Sequence, residues 1–121
     1  MKAGSGPGRA STAWYVVTSD RYLARWWNAL HIPYTLWHLS YVVMGAALGT
    51  ALRWDVLGWA LLAFFLGLGV AGHAFDLLRG DPLALKLPAS HLEVAGVTSL
   101  LAAAFIGSLN IYWGNVPWWL G

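Results

Sequence analysis

Three long apolar stretches decide what this chain can fold into. They are LHIPYTLWHLSYVVMGAALGTAL at 30–52, VLGWALLAFFLGLGVAGHAFDLL at 56–78 and VAGVTSLLAAAFIGSLNIYW at 94–113. Each matches or approaches the ~20 residues a helix needs to cross a hydrocarbon core of ~30 Å. In lipid the backbone amides must find partners within their own segment, so such spans are helical. The first stretch contains no Asp, Glu, Lys or Arg, whereas an amphipathic helix of a soluble bundle would carry charge along one stripe. Only 10% of the 121 residues are charged and 59% are hydrophobic, against about 25% charged in a soluble domain. The expected fold class is therefore all-α: an integral membrane protein with three transmembrane helices.

The flanks divide the rest of the chain. Residues 1–17 open with the Gly-, Ser- and Ala-rich run MKAGSGPGRASTA, which offers little to bury and reads as a disordered tail. It is not a secretory signal, because no apolar run follows Lys2 before Thr18-Ser19-Asp20. Over 18–32, Tyr22, Leu23, Trp26, Trp27 and Leu30 recur at helical spacing while Arg21, Arg25 and Asn28 share the other face. Such a pattern predicts a short amphipathic helix lying in the membrane interface, capped by Thr18, Ser19 or Asp20. The alternative is a first span that simply projects further into water. Residues 30–121 then form the membrane domain.

Basic residues set the orientation. Lys2, Arg9, Arg21 and Arg25 precede the first span, Arg79 and Lys86 follow the second, and Arg53 alone lies on the other side. By the positive-inside rule the N-terminus is cytoplasmic and the C-terminus external. Trp26, Trp27 and Tyr34 mark one interface, and Trp54, Trp59, Trp113, Trp118 and Trp119 the other. A net charge of +2 with no basic run excludes nucleic acid as a partner, and the absence of cysteine excludes thiolate chemistry.

Small residues and histidines interrupt the apolar spans. Gly67-Leu68-Gly69-Val70-Ala71-Gly72 spells a dinucleotide fingerprint, but that motif needs a preceding strand, and here it lies within a span. Helix packing explains it better, as it does Gly45, Gly49, Ala103 and Gly107, at which a second copy or partner subunit is expected to dock. His31 and His38 share a face of span one, and His73 on span two lies at a depth similar to His38. Ionisable groups at such depth face a bundle interior or a polar cavity. They either bond a neighbouring helix or hold a ligand; His38 and His73 would suit the two axial positions of a haem.

Charge gathers where span two ends. His73, Asp76 and Arg79 follow one another at successive turns, Asp81-Pro82 closes the helix, and the loop returns through Lys86, His91 and Glu93. One reading is a polar helix end with Asp76 paired to Arg79. The other is a hard-cation site, in which Asp76 and Asp81 supply oxygens to Mg²⁺ while Arg79 or Lys86 binds phosphate.

Ile32-Pro33-Tyr34-Thr35-Leu36 leading to Gly45-Ala46-Ala47-Leu48-Gly49, then Gly72-His73-Ala74-Phe75-Asp76 with Arg79-Gly80-Asp81-Pro82, resembles the N-terminal third of the UbiA-type intramembrane prenyltransferases. The resemblance implies magnesium ligation by Asp76 and, approximately, Asp81. It also implies a polyprenyl diphosphate ligand bound with Arg79, Lys86 and His73. Gly72 and His73 stand where the family carries Asn and Asp, and the second Asp-rich motif is missing. The chain is thus expected to bind such a ligand without being a complete enzyme alone. A haem- or metal-binding subunit built on His38 and His73, or a purely structural assembly subunit, are the competing functions.

Overall fold

The computed structural model describes residues 13–115. The described residues form four helices, α1 (Tyr22–Ala29), α2 (Ile32–Ala47), α3 (Trp54–Arg79) and α4 (Ala89–Tyr112), and no strand. α3 and α4, at 26 and 24 residues, are long and apolar enough to cross a membrane. Both begin earlier than the apolar runs suggest, so His91 and Glu93 belong to the first turns of α4 rather than to the loop. Lys2, Arg9, Trp118 and Trp119, and the expected tail as far as residue 12, lie outside the described residues.

The first apolar stretch is the one that departs most from expectation. His31 takes a left-handed conformation, with φ 43°, and separates α1 from α2; Pro33 fits the first turn, where no intrahelical donor is needed. At the far end the helix stops at Ala47, and the chain turns through 48–53. Sixteen helical residues span about 24 Å, short of the ~30 Å core. Hydropathy counted Leu48, Ala51 and Leu52 toward a span, but the helix ends at Ala47 and the chain turns through Gly49-Thr50.

α3 holds the fold together. Its middle, Phe65–Gly72, is wound as a π-helix between two α-helical halves. That stretch is FLGLGVAG, whose glycines let both neighbours approach the wide turns. A Cβ at Gly69 would lie 3.1 Å from the Thr35 methyl of α2, and one at Gly67 would meet Ala103 of α4 at 3.6 Å. Further along, Ala71 and Ala74 are buried, as are Gly96 and Ser99 of α4. The Phe75 ring lies over Gly96 so closely that a Cβ there would be 2.9 Å from Cε1.

The N-terminal strap and the α3–α4 loop cover one end of the bundle. Residues 13–17 were expected within the disordered tail, yet they are tied to α1. Asn28 accepts from the Val17 N–H and donates to the Val17 carbonyl, both at 2.9 Å, and Trp27 Nε1 donates to the Tyr15 carbonyl at 2.9 Å. No side chain caps α1; Ser19 Oγ accepts from the Arg21 N–H instead. The Tyr22 hydroxyl meets His91 Nδ1 at 2.8 Å, linking α1 to α4.

No large side chain is fully buried among the described residues, while Leu48 is 89% exposed and Leu101 and Phe105 64% each. An apolar surface this extensive is unfavourable in water and marks contact with lipid or protein.

Candidate functional site

Between α2 and α3 lies a cavity of about 160 Å³. Its polar lining comes from Tyr34 and His38 of α2 and from His73 and Asp76 of α3, and Leu39, Phe64 and Leu68 contribute its apolar wall. Hydrogen bonds fix the tautomers of both histidines. His38 Nδ1 lies 2.9 Å from the Tyr34 carbonyl and His73 Nδ1 2.7 Å from the Gly69 carbonyl. A carbonyl oxygen only accepts, so Nδ1 carries the donated proton in each ring and Nε2 is the nitrogen left for a further partner. Neither Nε2 has a protein partner among the described residues.

Aromatic rings hold the imidazoles in place. Tyr34 packs on His38 with centroids 4.2 Å apart and meets His73 edge-on at 5.9 Å. His31 stacks on His73 at 6.3 Å with an interplanar angle of 14°. Its Nε2 lies 3.4 Å from the Tyr15 hydroxyl, and its Nδ1 is buried without a partner. Spacing alone singled out His38 and His73 in the sequence, and both line this cavity. Tyr34 stood out only as an interfacial aromatic, although its place four residues before His38 on one helix face was a usable signal. Tyr15 had none.

The carboxylates separate. Asp76 lies at the edge of the α2–α3 cavity and of a more apolar one, about 330 Å³, that reaches His31, Leu77, Leu83 and Leu85. It makes no ion pair with Arg79; among the described residues the ion pair is Arg53–Asp55, at 2.7 Å. Asp81 instead organises its own loop, accepting from the Leu85 and Lys86 N–H groups at 2.8 Å each. Those two donors hold its carboxyl below the usual carboxylate value. Lys86 lines a different cavity, beside Arg25, and Arg79 is exposed at the end of α3.

Asp76 is therefore the carboxylate offered to the α2–α3 cavity, and no cluster of three or more potential metal-ligating side chains occurs among the described residues. A volume of 160 Å³ lies below the ~300 Å³ at which pockets for drug-sized ligands begin. No family model, curated protein or solved structure matches the chain.

Proposed function

We propose that the chain is a small membrane subunit that binds the head of an isoprenoid diphosphate between α2 and α3, and that it is not a complete enzyme alone. The observation that carries this reading is the character of the cavity, with His38, His73 and Asp76 beside Leu39, Phe64 and Leu68. An amphipathic ligand matches both kinds of surface. Magnesium typically uses one or two carboxylates with substrate phosphates and water, so Asp76 suffices as the protein's contribution. Arg79, three residues further along α3, supplies positive charge near the phosphates.

In the membrane arrangement that goes with this reading, α2 is the third embedded helix and α1 lies in the cytoplasmic interface. The N-terminus is cytoplasmic and the C-terminus external, following the basic residues. Gly45 and Gly107, which meet nothing within 4 Å in this chain, are where a second copy or a partner subunit docks.

Thermal unfolding in detergent with farnesyl diphosphate tests the binding. Stabilisation is expected only when Mg²⁺ is present, at about 2.7 kcal/mol for ligand at a hundredfold excess over Kd. Asp76→Asn removes most of it, and Asp55→Asn, at the other end of α3, leaves it intact. A shift that is absent, or that survives Asp76→Asn, overturns the proposal.

A second reading has its own support. Two histidines whose Nδ1–H groups are held by carbonyls present Nε2 as metal ligands do. Zinc binding without diphosphate that disappears in both His38→Ala and His73→Ala favours a transition-metal site. A visible absorption band favours haem.

A further inference from the structure

A second polar cavity, of about 640 Å³, opens between the strap, α1 and the α3–α4 loop. It is lined by Thr18, Ser19, Asp20, Arg25 and Lys86 among others, and it shares neither histidine nor Asp76 with the α2–α3 cavity. Two of its charged groups are cations and one is an anion. Neither Arg25 nor Lys86 forms an ion pair among the described residues.

Arg25 is held in position yet left incompletely bonded. Its Nη1 donates to the Lys86 carbonyl at 3.1 Å, and its guanidinium carbon lies 5.8 Å from the centroid of the Tyr22 ring. Nε is buried with no partner. A planar guanidinium held in place by one backbone bond, on the lining of a polar cavity, suits a tetrahedral oxyanion.

Lys86 is placed at a conformational cost. Ala84 and Lys86 both have positive φ, 50° and 54°, a region that non-glycine residues rarely occupy. Both oxygens of Asp81 accept from the loop, at the Leu85 and Lys86 N–H groups, and so hold that strained conformation. Backbone strain maintained by a dedicated side chain is characteristic of ligand-holding sites. Asp81 acts here as a positioning residue for Lys86.

We propose that Arg25 and Lys86 form a phosphate-binding site, taking either an anionic phospholipid headgroup or free phosphate, with Thr18 and Ser19 as hydroxyl partners. Asp20 on the same lining disfavours a ligand of high negative charge and favours a phosphodiester or a singly ionised phosphate. The cavity has room for more than a bare phosphate, which suits a headgroup. This inference is independent of ligand binding between α2 and α3.

The test compares the full chain in phosphatidylcholine nanodiscs with the same discs containing phosphatidylglycerol, and with inorganic phosphate added to the neutral discs. Thermal unfolding is read for the unmodified protein and for Arg25→Gln, Lys86→Gln and Arg53→Gln. Stabilisation by phosphatidylglycerol alone identifies a headgroup site, and equal stabilisation by inorganic phosphate identifies a soluble ligand. In either case Lys86→Gln weakens the response about tenfold, equivalent to 1.4 kcal/mol, while Arg53→Gln leaves it unchanged. Arg25→Gln also breaks the bond to the Lys86 carbonyl and can fail to fold, so Lys86→Gln, which keeps every backbone bond, decides. No response to either anion, or equal loss in Lys86→Gln and Arg53→Gln, overturns the proposal.

Discussion

The two sides of α3 are packed to different rules. Toward α4 it presents Phe75, which closes directly over Gly96, and Gly67, where a Cβ would meet Ala103 at 3.6 Å; Ala71 and Ala74 on the same helix are essentially inaccessible. Toward α2 the contact narrows at Thr35 and Gly69 and opens beside them into the space that holds His38, His73 and Asp76. Lipid offers no hydrophobic drive to bring helices together, so close approach through small residues is what makes the α3–α4 pair firm. The α2 side gives up part of that packing and gains room for polar groups. One helix thus serves as support on one side and as the wall of a polar cavity on the other.

Substitutions that respect or violate this difference should separate the two sides. The largest effect is expected at Gly96→Val, which drives a branched side chain into Phe75 and should cost about 1–3 kcal/mol in unfolding from detergent. Gly107→Ala, on the same helix but with nothing within 4 Å of the added Cβ inside this chain, should be neutral or stabilising by up to about 1 kcal/mol in the detergent-dispersed monomer. Equal losses at both positions would show that α4 is not held through Gly96.

On the α2 side, Thr35→Val removes the 2.6 Å bond from Thr35 Oγ1 to the Leu30 carbonyl at the α1–α2 junction. The expected cost is about 1 kcal/mol. A cost as large as that of Gly96→Val would mean the two sides are packed alike.

Smaller still is the contribution of the exposed Asp81 loop. The carboxyl lies below its ordinary value of 3.8 in the folded chain, so its contribution is present above the unfolded value and is lost as pH falls through the folded one. Thermal stability should therefore decline as the pH drops below about 4, and Asp81→Asn should reduce that decline. Tyr22→Phe should have the least effect, roughly 0.5 kcal/mol or less, because the bond to His91 is exposed.

Much of this architecture is written in the residues. Apolar runs marked α3 and α4, and their boundaries shifted only at the polar ends, where hydropathy is a poor guide to where winding starts. Helical spacing placed His38 and His73 at similar depth, and both line the α2–α3 cavity. The break at His31 was less legible, because a left-handed residue other than glycine depends on its tertiary surroundings. The π-wound segment was also hidden, since FLGLGVAG suits close packing in either winding. Asp76 and Asp81 looked alike in the sequence. Asp76 has its place on the wall of α3, whereas the fold of its own loop claims Asp81 through two backbone donors. No spacing rule distinguishes those fates.

The central claim, that the α2 side of α3 is a binding site, is tested most directly by nitrogen NMR of the imidazoles in ¹⁵N-histidine-labelled protein. Farnesyl diphosphate is titrated in the presence and absence of Mg²⁺. The account predicts that the Nε2 resonances of His38 and His73 move together only when Mg²⁺ is present, while His91, at the start of α4, stays fixed. Movement of His91 together with His38 and His73, or of none of them, would contradict it.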